Sequence, residues 1–305
     1  MAGNPMLNNQ KGTSIVFFSI LLAVIAGFAA ITVDFGIIAY EKSRLANTVD
    51  AAALAGAQEL VTNISNTESI VASYIDKNNH NLKETSINVD FAARQVEVNA
   101  SKTVNSYFSK IIGKSYFDVN AVAAAKVENI SALSGCRPIA VVQQTFVYGQ
   151  VYTLKEGAGD GYSGNYAAIS LGGNGGSVYE NNLLYGYDGT IKVGDIIPTE
   201  TGVIAKKTEN AIKTLVGKCD HTPPCTHTYY NKNCSRIIFI PVVDTLYVNG
   251  KKNIRVLGFA TFFLEGAVNS GGHTEIIGRF ITYQADGETS PDINDYGTYG
   301  IRLVK

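Results

Sequence analysis

The pattern of apolar residues sets the first sixty positions of the chain apart. Almost every residue from Ile15 to Val33 is apolar, and these nineteen residues span about 28 Å as a helix, roughly the hydrocarbon thickness of a bilayer. Beyond Asp34, apolar and small residues recur in steps of three and four on one helical face: Leu45, Val49, Ala52, Gly56 and Leu60. No proline or loop separates the two stretches. The pattern therefore predicts one long helix, its first half in lipid and its second half in water.

After this helix the period changes. A second helix is predicted over 67–77, a hairpin turning at 92–95, a short helix over 105–113 and a strand over 116–127. From residue 135 onward, Gly- and Asn-rich turns separate seven strand candidates and one helix candidate. The strand candidates are 138–142, 146–154, 166–170, 191–197, 236–245, 253–264 and 274–282, and the helix candidate is 207–216.

These patterns predict an α+β chain of four parts. They are a cytoplasmic tail over 1–14, a transmembrane anchor over 15–39, a helix-plus-sheet stalk domain over 40–134 and a β-rich extracytoplasmic domain over 135–305. A cleaved signal peptide is the alternative for the apolar segment, because 26–29 offers small residues at a suitable spacing. The apolar run is long for a signal core and the helical pattern continues through that position, which favours a retained anchor.

Composition excludes one class of partner. Charged residues make up 17% of the chain and the net charge is −1, with no basic patch that would hold a phosphate backbone. We therefore expect no nucleic-acid binding. The 17 Tyr and 30 Gly suit strands and tight turns of an extracellular protein.

The four cysteines leave two chemical readings open. Cys219, Cys225 and Cys234 lie close together in the sequence with two histidines, and Cys136 stands apart. An even number of cysteines outside the cytoplasm favours two disulfides, and one pairing closes a loop within 219–234 and joins the remaining cysteine to Cys136. The alternative is a zinc site that draws on Cys219, His221, Cys225 and His227, as a zinc-dependent enzyme would use.

Other motifs carry little chemistry. The Asp34-Phe35-Gly36 tripeptide lacks the other motifs of a kinase, and the glycines at 172–176 are not followed by a helical pattern, so they do not predict a phosphate-binding loop. Acidic residues over 286–295 lack the spacing of a calcium-binding EF-hand loop. We expect no catalytic residue, no cofactor and no metal.

The segment TSIVFFSILLAVIAGFAAITVDFGIIAYEKSRLANTVDAAALAGAQEL resembles the amino-terminal signature of TadE/TadG-like Tad/Flp pilus-assembly proteins. The positions that carry the resemblance are an Asp and a Gly at the outer end of the apolar helix, an Arg-Leu pair, a second Asp and an alanine-rich run: Asp34, Gly36, Arg44, Leu45, Asp50 and 53–57. Residues 98–127 are similar to the next block of that family, a Phe-x-x-x-x-Gly turn followed by a strand that ends in alanines. The carboxy-terminal half is similar to the longer Gram-positive-type members.

This resemblance implies a bacterial single-pass membrane protein whose bulk faces outward and which takes part in pilus assembly and adhesion. Its expected partners are the membrane, other subunits of the pilus machinery and further copies of its own helix. The expected assembly residues are Asp34, Gly36, Arg44, Leu45, Asp50 and Gly56. Phe17 stands where prepilin-type processing after Gly12 would need a Glu, so an uncleaved anchor is expected. A rival hypothesis is a surface adhesin or ligand-binding module that uses the loops of 157–190.

Overall fold

The computed structural model describes residues 11–78, 81–155, 166–200, 204–246, 252–270 and 273–304. These residues form four α-helices: α1 Lys11–Thr62, α2 Thr67–Asn78, α3 Gly176–Tyr185 and α4 Ala205–Gly217. The strands are β1 Glu84–Asp90, β2 Gln95–Asn105, β3 Tyr116–Ser134, β4 Ile139–Val142, β5 Val151–Lys155, β6 Tyr166–Ala168, β7 Thr190–Lys192, β8 Ile196–Pro198, β9 Ile237–Val243, β10 Asn253–Ser270, β11 His273–Ile281, β12 Tyr283–Gln284, β13 Glu288–Ser290 and β14 Thr298–Leu303. The predicted α+β class is confirmed.

The chain divides into two compact units. The first contains residues 1–56, 66–125 and 303–305, and the second contains 57–65 and 126–302. In the first unit the part of α1 that follows Asp34 buries the face that its apolar periodicity predicted, including Leu45 and Val49 at 0% exposure. α2 buries Val71 and Ile75 against this core, and the antiparallel hairpin β1–β2 contributes Val96 and Val98. The helical pattern over 67–77 predicts that Tyr74 also faces inward, but Tyr74 is 40% exposed.

In the second unit a sheet has the order β5-β11-β10-β9-β4-β6, and β8 pairs with β10. β10 alternates its side chains between two cores, because successive residues of a strand point to opposite faces. Phe262 and Leu264 pack with the helices α3 and α4, whereas Phe263 packs in the other core, which also contains Cys136, Cys225 and Cys234. In the same unit the end of β3 pairs with β7 and β13.

The structure corrects several local predictions. The glycines at 172–176 are followed by a helix, α3, whose Asn182 side chain donates to the Leu171 carbonyl at 2.7 Å. The single strand predicted over 191–197 is two short strands, because Gly194 turns the chain with φ +95°. The strand predicted from Phe146 begins at Val151. The Asn249-Gly250 pair between two apolar stretches predicts a hairpin turn, and this turn lies outside the described residues. β9 and β10 pair antiparallel, as such a hairpin requires.

Candidate functional site

The first candidate site lies near the middle of the long helix α1, at Asp34. α1 is continuous over Lys11–Thr62, and its apolar first half is exposed, as at Phe17 (71%) and Phe28 (69%). The helix is long and apolar enough to cross a membrane. Asp34 is the first acidic residue that follows the apolar run, so it marks the point where the helix leaves its apolar part.

Asp34 is almost fully buried and binds a distant loop. Only 2% of the residue is exposed. Its Oδ1 accepts the N–H of Tyr107 at 2.8 Å and that of Phe108 at 3.3 Å, and its Oδ2 accepts the N–H groups of Phe108 at 3.1 Å and Ser109 at 2.6 Å. Ser109 also donates its hydroxyl to Oδ2 at 2.6 Å. The carboxylate therefore satisfies three consecutive backbone donors at the start of a short 3-10 turn, as an acidic cap does.

We call residues 106–113 the boundary loop. The 3-10 turn Ser109–Ile112 ends at Gly113, which adopts φ +86°, a conformation that favours glycine. The loop presents apolar side chains to its surroundings: Tyr107 is 68% exposed, Phe108 43% and Ile111 86%. The backbone of this loop binds Asp34, the residue at which the apolar run of α1 ends.

A second polar contact holds α1 about two turns beyond Asp34. Lys102 of β2 forms an ion pair with Glu41 at 2.6 Å, and both side chains are mostly buried. Sequence reasoning missed both this pair and the partners of Asp34. The signal for the boundary loop was the Phe-x-x-x-x-Gly turn at 108–113, but nothing in the sequence indicated that its backbone would bind Asp34.

The other assembly candidates fall into two groups. Leu45 is fully buried, and a Cβ added to Gly56 would lie 2.5 Å from a methyl carbon of Val71, so both residues are committed to packing within the first unit. Gly36 and Arg44 are exposed, and Asp50 is partly exposed. A Cβ added to Gly36 would meet no atom within 4 Å. The structure thus separates candidates that hold the unit together from candidates that remain accessible.

The second candidate site is a group of metal-ligating side chains in the second unit. The ligand atoms of Cys219, His221, Cys225 and Cys234 all lie within 4.8 Å of one another. Among the described residues this is the only group of three or more Cys, His, Asp or Glu side chains arranged in this way. His227 lies outside the group, next to Gly149.

Regular elements position two members of the group. Cys219 follows the end of α4, and its N–H donates to the Val216 carbonyl at 3.3 Å. Cys234 precedes β9, and its carbonyl accepts the N–H of Ile237 at 3.0 Å. His221 and Cys225 come from the loop between them, and the N–H of Asn231 donates to the Cys225 Sγ at 3.4 Å.

The thiols of the group have different pKa values. The imidazole of His221, whose Nδ1 lies 3.7 Å from the Cys219 Sγ, and the backbone N–H of Cys225 lower the pKa of Cys219 to about 6. Burial raises the pKa of Cys234 to about 12. Burial also raises the pKa of Cys136 well above its usual range, and the Cys136 S–H points to the Leu133 carbonyl at 3.9 Å.

All four cysteines are free thiols in this structure. The predicted disulfides stay a prediction. Cys136 lies outside the group that the other three cysteines form with His221. In the acidic segment 286–295, which was considered above for calcium, the Asp295 carboxylate forms hydrogen bonds within the chain. It accepts the N–H of Gly297 at 2.9 Å and the hydroxyl of Tyr299 at 2.8 Å.

Comparison with known proteins finds a match, and it lies in the long helix. Residues 12–59 match the family model described as Tad, Putative Flp pilus-assembly TadE/G-like. The resemblance to this family is confirmed over that segment, which covers most of α1 and includes all six assembly candidates. No curated protein and no solved structure matches the chain. The match supports involvement in pilus assembly, and this family is not a known class of enzyme.

Proposed function

We propose that this chain is a membrane-anchored, extracytoplasmic component of a Tad/Flp-type pilus system, either a minor pilin-like subunit or an assembly factor, with a role in adhesion. The observation that carries the proposal is the coincidence of the TadE/G-like match over 12–59 with a helix that is exposed and apolar in its first half. A solvent-exposed apolar helix of this length is expensive in water and stable in lipid.

The boundary loop supports the position of the bilayer surface near Asp34. Tyrosine and other amphipathic aromatic side chains are enriched where a helix crosses from hydrocarbon to headgroups. Tyr107, Phe108 and Ile111 are exposed, and the loop that carries them is bonded to the helix at the end of the apolar run. The role of Asp34 is therefore to attach the boundary loop to α1 at the membrane surface, and not to contact another protein.

Contacts with other pilus subunits are then left to the accessible positions. Gly36, Arg44 and Asp50 are the candidates that internal packing leaves exposed or partly exposed. The apolar half of α1 is free to pack against like helices, which is the self-association that pilin-type assembly needs. The domain bounds at 39/40 and 134/135 remain part of this proposal.

The experiment is fractionation of native cells. Surface filaments are sheared off, and the filament and membrane fractions are probed with an antibody to 136–305; a strain that lacks the chain is the control. Protease added to intact cells should remove the epitope, which tests the outward orientation. Signal in the sheared filaments identifies a pilus subunit, and signal confined to the membrane identifies an assembly factor. An epitope that intact cells protect from protease would contradict the proposal, as would unchanged piliation in the deletion strain.

A further inference from the structure

The cluster of Cys219, His221, Cys225 and Cys234 has a use that pilus assembly does not explain. We propose that these four side chains bind one structural zinc ion, as a Cys₃His site. The proposal is independent of the pilus function, because all four ligands lie in the second unit, beyond the segment that matches the TadE/G-like family.

The geometry fits a tetrahedral ion. Zinc bonds of about 2.3 Å to sulfur and 2.0–2.1 Å to nitrogen put neighbouring ligand atoms about 3.5–3.8 Å apart. The Cys219 Sγ and the His221 Nδ1 are already 3.7 Å apart, and all four ligand atoms lie within 4.8 Å of one another. Inward movements of about 1 Å or less would complete the tetrahedron.

The loop that carries the ligands needs an organising element. Between Gly217 and Ile237, within the described range 204–246, the chain contains no helix and no strand. Loops of this length without secondary structure are uncommon in compact domains unless they are functional or otherwise fixed. One ion bound near both ends and the middle of the loop would fix its path.

Neighbouring groups already hold the ligands in position. The Arg236 guanidinium lies 4.4 Å from the centre of the Phe263 ring and donates from Nη1 to the Cys225 carbonyl at 2.8 Å. The N–H that Asn231 directs at the Cys225 Sγ is the kind of donor that supports a metal-bound thiolate. Cys225 and Cys234 are each 3% exposed, so the site would be closed to solvent on the side of the core.

A disulfide uses this arrangement less completely. One bond between two of the three cysteines would leave the third thiol and the imidazole without a role in the cluster. Zinc engages all four side chains. Because four protein ligands fill a tetrahedral site, no coordination position remains for water or substrate, and the ion would be structural rather than catalytic.

The test is the metal content of the full chain, purified in detergent from cells grown with zinc, without chelator or reductant. We expect elemental analysis by mass spectrometry to find about one zinc ion per chain. His221→Ala and Cys225→Ser should lose it. His221→Cys should retain it, because four thiolates also form a structural zinc site. His227→Ala is the matched control, since this neighbouring histidine lies outside the cluster, and it should keep the metal.

A second measurement covers variants that fail to fold. Wild-type protein stripped with a chelator and titrated with Co²⁺ should show the visible bands of a tetrahedral thiolate complex, and zinc should abolish them. The chelator should also lower the midpoint of thermal unfolding, and added zinc should restore it. Purified wild type without zinc would overturn the proposal, as would a non-reducing peptide map with a disulfide between any two of Cys219, Cys225 and Cys234.

Discussion

Replacement of Asp34 by Ala should release the boundary loop from the helix. The carboxylate accepts from three backbone N–H groups and from the Ser109 hydroxyl, with the shortest distances at 2.6 Å. A hydrogen bond to a charged group contributes about 1.5–3 kcal/mol, but the freed N–H groups of this exposed loop can bond to water. The free energy required to open the loop should therefore fall by about 2–4 kcal/mol, which is less than the summed contributions of the individual hydrogen bonds.

Amide hydrogen exchange of the full chain in detergent or lipid discs measures this effect directly. A loss of about 2–4 kcal/mol corresponds to exchange about 30 to 1,000 times faster at Tyr107, Phe108 and Ser109. Asp34→Asn keeps one acceptor oxygen but loses the charge, so its exchange rates should lie between those of wild type and Asp34→Ala. Asp50→Asn, on the same helix but not bonded to the loop, is the matched control. Unchanged protection in Asp34→Ala, or an equal change in Asp50→Asn, would refute the role of Asp34 as a cap.

Three further predictions concern packing, acid stability and assembly. Gly56→Val should lower the free energy of unfolding by about 2–3 kcal/mol in denaturant titrations, because a Cβ at this position already lies 2.5 Å from a methyl carbon of Val71. Gly36→Ala is the control and should not lower it, because a Cβ there meets no atom within 4 Å. Arg302 lowers the pKa of buried Glu128, so their ion pair is fully stabilising above about pH 4.5 and is lost as the pH falls through the lowered value. Arg302→Met should therefore lower the midpoint of thermal unfolding at pH 7 and weaken its pH dependence. An unchanged pH profile would show that the pair is not responsible. Asp50→Lys should block piliation without lowering the level of the protein, and a piliated strain with this substitution would count against an assembly contact.

The sequence by itself determined the features that depend on neighbouring residues. An uninterrupted apolar run followed by a period of three to four specifies one helix and its buried face, and both are present in α1. The alternation around 92–95 specifies the register of β1 against β2, because a shift by one residue would turn Val96 and Val98 away from the core. The family resemblance rested mainly on the same local segment, 13–60, and the family match at 12–59 falls on it.

The tertiary structure decided what depends on residues far apart in the chain. Asp34 meets donors that lie 73 to 75 residues later, and no local period encodes that contact. α3 carries little helical pattern and is held by contacts such as the Tyr179 hydroxyl with Thr208 of α4, so tertiary packing outweighed weak propensity. The same reason governs the cysteines. Their number and spacing in the sequence allowed either disulfides or a metal site. In the folded chain Cys234, which precedes β9, lies with Cys219, His221 and Cys225, whereas His227 does not. The difference arises because a group of ligands is defined by distances in space and not along the chain.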